Sequence, residues 1–300
     1  MTTRGRLFAL TCCKEMSFDW QKEETMQPQP ARHPQRWRTV EELLECGYQR
    51  SRVVMINECH AGWFRCIRTR RIGQRLLPMA HQLGVRHLAM EALYAPAVEE
   101  VNASRRVLPN AGVYLHQPEM RAFVQSALDL GFTLIAYEAN FEQEPTGLSE
   151  REQNNWRELV QARNLIGALA RLPAEERLLV WCGNNHHTKA RVPSRSGEPD
   201  SFWGLMGYYF REQSGLDPFV IDQGRTVLLP GMSRRPALEK WLEEIAPTLI
   251  SMGGTAGFLS NEAPSCLAVA PGNDANVISL DNEMEEWDPS EHQETGGSLL

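Results

Sequence analysis

No stretch of this chain approaches the roughly 20 consecutive apolar residues that a helix needs to cross a bilayer. The longest apolar run near the start, Leu7-Phe8-Ala9-Leu10, is too short for the core of a secretory signal. A glycine-rich phosphate loop is missing, and so is a Gly-x-Ser-x-Gly elbow, which argues against a P-loop enzyme and against an elbow-type serine hydrolase. There is no excess of positive charge. The net charge is −7, and the seven acids from Asp281 to Glu294, with no lysine or arginine among them, account for all of it. The rest of the chain is neutral, so nothing global points to a nucleic-acid surface. The seven cysteines (Cys12, Cys13, Cys46, Cys59, Cys66, Cys182, Cys266) are odd in number and irregular in spacing, the usage of a reducing compartment rather than of a disulfide framework. A cytoplasmic location, with neither membrane nor nucleic acid as partner, is expected.

What is present reads as three regions. Residues 1–38 are polar and proline-containing and read as a flexible extension. Residues 39–250 carry alternating strand and helix signals. Thr39 is a candidate N-cap for a helix that Gly47 would close. Five short apolar runs read as buried strands: Arg52–Asn57, His87–Met90, Phe132–Tyr137, Leu178–Cys182 and Pro218–Ile221. Between them lie helical stretches: Ile67–Leu83 (with Pro78 expected to kink or split it), Pro118–Leu130, a helix opened by the capping box Ser149-Glu-Arg-Glu152 and ending near Arg171, and Phe202–Gln213. A further helix is expected over Pro236–Ile245. This alternation predicts an α/β fold: a mostly parallel sheet with helices on both faces. Residues 251–300 are rich in Gly, Ser, Asn and Pro, turn acidic, and read as an irregular appendage.

In open α/β sheets the ligand site lies outside the carboxyl ends of the strands. At those ends stand Glu58 and His60, then Glu91, then Glu138, then Gly183-Asn-Asn-His186-His187, and finally Asp222. Three carboxylates converging on one crevice repel unless a cation intervenes. With imidazole present, mixed ligation suits Mn, Fe, Co or Zn. A Cys/His zinc site around Cys59 and Cys66 lacks a second close pair. Arg157, Gln161 and Asn164 fall on one face of their helix, a polar stripe able to line a wet cleft. Among Arg65, Arg68, Arg70, Arg71 and Arg75, an exposed helix face is expected for most, with Arg65 assigned to the site.

The segments Ile56-Asn-Glu-Cys-His60, Ala89-Met-Glu-Ala-Leu93, Ala136-Tyr-Glu138, Arg157-Glu-Leu-Val-Gln-Ala-Arg-Asn-Leu165, Gly183-Asn-Asn-His186 and Gly215–Gln223 occur in this order. Over about residues 50–225 they resemble the erythromycin esterase / ChaN / Tiki superfamily, an α/β group of macrolide-lactone esterases, Tiki-type metal-dependent peptidases and ChaN-type haem-binding proteins. The resemblance places Glu58, His60, Glu91 and His186 on the family's Glu-x-His, Glu and Gly-x-x-His positions, and Arg157 on its helix arginine. Of the second His and the Arg that often follow the first motif, only Arg65 is retained. The region after Arg225 departs from the usual ending.

Residues and resemblance together imply a hydrolase of ester, lactone or peptide bonds acting on a small molecule or peptide. Glu58, His60, Glu91 and His186 would hold a divalent metal or activate water directly. Glu138 would be the general base, and Arg157 or Arg65 would face the developing oxyanion. Without a metal, His60 becomes the base. The alternatives are a protein binding haem or another iron ligand, with Tyr114, Tyr137 or His60 as axial ligand, and a scaffold without activity. On this reading, replacing Glu58 by Gln weakens metal binding more than it perturbs the fold. His186→Ala abolishes function whereas His187→Ala keeps most of it. Truncation near residue 275 leaves stability almost unchanged.

Overall fold

The computed structural model describes residues 36–58, 63–91, 93–183, 185–193, 202–223, 244, 247–248, 251–252, 255–259 and 275–279. Helix α1 (Val40–Arg50) begins where the sequence places it. The Thr39 hydroxyl accepts from the Glu42 N–H at 3.1 Å, and Glu42 Oε2 accepts from the Thr39 N–H at 2.8 Å, a complete capping box. It runs past Gly47 to Arg50. Gly47 is there for close approach rather than as a stop, because a Cβ on it would lie 2.7 Å from the Phe219 ring.

Strand β1 (Val53–Glu58) leads to helix α2 (Trp63–Gln82), strand β2 (His87–Met90), helix α3 (Ala95–Ser104), helix α4 (Pro118–Asp129) and strand β3 (Thr133–Ala136). Helix α2 starts before the expected Ile67 and passes through Pro78 as one element. Burial of Leu76, Leu77 and Ala80 around the proline holds the helix together where propensity alone would break it. Helix α5 (Glu150–Ala170) carries the second capping box, Ser149 with Glu152, as the pattern requires. Strand β4 (Leu178–Gly183), helix α6 (Met206–Ser214) and strand β7 (Phe219–Asp222) complete the alternating part. Helix α6 starts four residues later than expected, because Phe202–Trp203 (β6) pairs antiparallel with Val192–Pro193 (β5).

Among the described residues the main sheet has seven strands, with Thr255–Leu259 as β8 and Ala275–Ser279 as β9, in the order β3-β2-β4-β1-β7-β9-β8. All neighbours are parallel except β8 against β9. Alternation along each strand divides the core in two. Val54, Ile56, Leu179 and Trp181 pack with α1, α2 and α4 on one face; Val53, Met55, Leu178, Val180 and Cys182 pack with α5 and α6 on the other. Both faces are covered, which is why the strands read as unbroken apolar runs. This bears out the α/β sheet with helices on both faces.

Two expectations at the termini are corrected. Strands β8 and β9 come from the stretch read as an irregular appendage, and β9 is an internal strand of the sheet. Their short apolar runs lie among turn-forming residues, and pairing with β7 supplies the partner that local composition hides. The end of the segment read as a flexible extension is also tied down. Arg38 exchanges backbone hydrogen bonds of 2.9 and 2.8 Å with Gly257, and Trp37 packs edge-on against Phe258. The helix expected over Pro236–Ile245 lies, apart from Glu244, outside the described residues, as does the acidic stretch 281–294. Among the described residues no helix is long and apolar enough to cross a membrane.

A chain ending at Asp274 would lose β9, leave β7 with an open edge and leave β8 with only its bridge to Arg38. Its thermal midpoint should fall by about 5 °C or more, corresponding to about 2 kcal/mol in a domain of this size. An unchanged midpoint in differential scanning calorimetry would show that these two strands contribute nothing to the body.

Candidate functional site

Parallel strands β2, β3 and β4 end side by side, and each hands a polar group to the same edge. Glu91 follows β2, Glu138 follows β3, and His186 lies three residues beyond the end of β4. Their neighbour from above is α5, and its polar stripe faces them as its spacing requires. Arg157 meets Glu138 through Nε at 3.0 Å and through Nη2 at 2.5 Å, and the same Nη2 lies 2.5 Å from Glu91 Oε1. Gln161 donates to Glu138 Oε1 at 2.9 Å, and Asn164 donates to the Tyr137 and Glu138 carbonyls at 3.1 and 3.2 Å. The Gly183 N–H donates to Glu91 Oε2 at 2.7 Å, so Glu91 is fixed from both sides. The side chains of Arg157, Glu91 and Glu138 are no more than 15% exposed.

His186 completes the cluster. Its Nε2 lies 3.4 Å from Glu91 Oε1, and its Nδ1 makes a 2.5 Å ion-pair contact with Glu158 Oε1. Burial works against a charge on this imidazole, but Glu158 and then Glu91 outweigh it, so its pKa is raised above the ordinary 6.5. Arg157 is held cationic in the same way, with burial opposed by Glu138 and Glu91. The Cys182 thiol is pushed well up by burial and by the surrounding carboxylates, Glu91 foremost, and stays a neutral thiol. The Tyr137 hydroxyl, also pushed up by burial, donates to the Trp181 carbonyl at 3.1 Å.

Sequence reasoning missed Glu158. The signal was available: Glu158 shares the buried register of α5 with Ala162, Leu165 and Leu169, and a carboxylate there needs a partner.

Glu58 is not part of this cluster. It continues the alternation of Val54 and Ile56 and so points to the opposite face. There Arg70 clamps it, Nε to Oε2 at 2.7 Å and Nη2 to Oε1 at 3.0 Å, and Trp181 Nε1 adds a bond of 3.2 Å. Arg70 also bonds Gln117 and lies 5.4 Å over the Tyr114 ring. Arg70 is thus buried, where the arginine-rich segment was read mostly as an exposed face; the phase of α2 against the sheet, which one helix's sequence does not set, decides this. His60 and the Arg65 side chain lie outside the described residues. Asp222 accepts from Asn57 Nδ2 at 2.9 Å and lies 3.4 Å from Nε2 of the fully buried His187. The adjacent histidines therefore meet different carboxylates, His186 facing Glu91 and Glu158 and His187 facing Asp222.

The cation that converging carboxylates require is supplied by the chain itself: Arg157 for Glu91 and Glu138, Arg70 for Glu58. Among the described residues no three His, Cys, Asp or Glu side chains converge to hold a metal ion; His60 of the expected donor set lies outside them. The arginine contacts use Nε and Nη2 of Arg157, leaving its Nη1 outside both carboxylate pairs.

Two expectations about variants change accordingly. Glu58→Gln would leave the Arg70 charge buried without its counter-ion and should cost about 3 kcal/mol or more in urea unfolding. His187→Ala would open a cavity beside Asp222 and should cost about 2 kcal/mol or more. Unfolding midpoints equal to wild type in either variant would contradict the corresponding contacts.

No protein-family model and no curated protein matches the sequence. Similar solved structures include RRSP, a MARTX toxin effector domain from Vibrio vulnificus CMCP6, at 16% identity and TM-score 0.42, covering 62% of this chain and 36% of that one. The matched part thus spans about a third of that effector chain. The type III effector HopBA1 matches at 13% identity and TM-score 0.44, over 85% of this chain and 100% of its own. ChaN of Campylobacter jejuni, a protein with cofacial heme binding, matches at 10% identity and TM-score 0.43, over 80% and 91%.

Proposed function

We propose that this chain is a hydrolase of ester, lactone or peptide bonds whose charged site works with the chain's own arginine in place of a metal ion. The observation that carries the reading is the convergence of Glu91, Glu138, Arg157 and His186 at the carboxyl ends of three adjacent strands. The order of the motifs, which resembles the erythromycin esterase superfamily, supports it.

In this reading Arg157 offers Nη1 to the oxygen that becomes negative when water adds to the carbonyl. Glu91 and Glu138 fix the guanidinium so that little reorganisation accompanies that charge. Both oxygens of Glu138 are taken up by Arg157, Gln161 and the Ala139 N–H, so it serves better as an anchor than as the general base first assigned to it. The base is then His60, two residues after Glu58 in the sequence. His186, kept cationic by Glu158 and Glu91, donates the proton that the leaving group needs. A general acid acts only while protonated. With its pKa raised, His186 retains the proton above pH 6.5, and the rate should fall as pH rises through the raised value.

The test is hydrolysis of an activated aryl ester, a lactone and a peptide by full-length protein in the presence of a chelator. Turnover should persist and drop by about 100-fold or more in His186→Asn and in Arg157→Lys. No turnover on any of the three substrates would overturn the reading. Turnover abolished by chelator and restored by Mn, Fe, Co or Zn would return the site to metal-assisted hydrolysis. A Soret band on titration with haemin, without hydrolysis, would favour the haem-binding alternative.

A further inference from the structure

Two side chains one turn apart on α5 reach across to the segment that opens α6. Asn155 Nδ2 donates to the Phe202 carbonyl at 3.0 Å, and Asn155 Oδ1 accepts from the Gly204 N–H at 2.9 Å. Glu158 Oε2 accepts from the Met206 N–H at 2.7 Å, while its other oxygen is the one in contact with His186. The same segment is fastened to the histidine loop directly, through the Gly207 N–H on the His186 carbonyl at 2.7 Å. The approach is close enough that a Cβ on Gly207 would lie 2.2 Å from the His187 carbonyl oxygen, and one on Gly204 would lie 2.3 Å from the Tyr209 hydroxyl. Nothing larger than glycine fits at either position without moving backbone or ring.

We propose that Asn155 and Glu158 form a two-point grip through which residues 202–207 hold His186 in its working orientation, which makes both of them positioning residues. Asn155 and Glu158 are i and i+3 neighbours on one helix face, so the grip is set by a rigid element. Glu158 divides its carboxylate between the imidazole and the Met206 N–H. A carboxylate oxygen 2.5 Å from Nδ1 repels the lone pair of a bare ring nitrogen and attracts the positive ring, so the grip favours the state in which Nδ1 bears a proton. Nε2 is thereby the nitrogen turned toward Glu91. The consequence for turnover rests on the hydrolytic reading; the grip itself does not.

The test uses full-length protein with 15N-labelled histidine and reads which ring nitrogen of His186 carries hydrogen, with His186→Asn providing the assignment. In wild type Nδ1 carries a proton protected from exchange. In Glu158→Gln the amide oxygen still accepts from Met206, and the amide NH2 then faces the ring, so Nδ1 becomes proton-free and only Nε2 keeps its hydrogen. Nδ1 still protonated in Glu158→Gln would overturn the proposal. Asn155→Ala leaves the carboxylate in place and loosens the other half of the grip, so the Nδ1 proton should exchange with water about tenfold faster. An unchanged exchange rate there would equally overturn it, and this arm decides if Glu158→Gln does not fold. These signals need no substrate. Absent hydrolysis with the expected ring signals would sink the hydrolase reading alone, and hydrolysis with unchanged ring signals would sink the grip alone.

Discussion

A single guanidinium at the edge of the sheet determines what the neighbouring groups can be. Strands β2 and β3 are parallel neighbours, so the carboxylates that follow them emerge a few ångströms apart in a largely buried place. Left to themselves, one would be forced to take up a proton. Arg157 stands between them and bonds both, and the cost of burying three charges is met only because Gln161, Gly183 and Ala139 satisfy the remaining lone pairs. From that arrangement follows the field at His186, which meets Glu91 already neutralised on one side and Glu158 on the other. Removing Arg157 would alter the charge of every group in the cluster.

The sheet also keeps two charge systems apart. Alternation sends Glu58 to the face of α2 and α4, where Arg70, Trp181 and Gln117 enclose it, while Glu91, Glu138 and Glu158 work on the face of α5 and α6. Asp222, Asn57 and His187 form a third buried set at the β1–β7 junction. Each set pairs its charges internally, so the crevice between the strand ends is not a pool of free carboxylates. Hydrogen bonds of this kind are costly to break one partner at a time, which makes the edge rigid.

Much of this was legible in the sequence, for physical reasons. The caps at Thr39 and Ser149, the apolar runs of β1 to β4 and β7, and the stripe Arg157–Gln161–Asn164 are local signals, and local rules carry them. The strand-end rule placed Glu91, Glu138 and His186 at one edge. What was not legible depends on partners distant in the chain. Whether Glu58 faces a crevice or a buried arginine is settled by the phase of α2, 12 residues on. The Gly-x-x-His spacing separated His186 from His187 but did not show the burial of His187 against Asp222, whose position lies 35 residues on. The pairing of β9 with β7 joins residues more than fifty positions apart, in a region whose Gly, Ser and Pro content masks its strands.

The central claim is that Arg157 is the cation of this site. Calorimetric titration of chelator-treated full-length protein with Mn(II) tests it most directly. The account predicts no saturable binding in wild type at about 100 μM metal, a level that would reveal affinities of the order of −6 kcal/mol. It also predicts that binding appears in Arg157→Met, where Glu91 and Glu138 face each other without a counter-ion. One equivalent bound by wild type and lost in Glu91→Gln would contradict it.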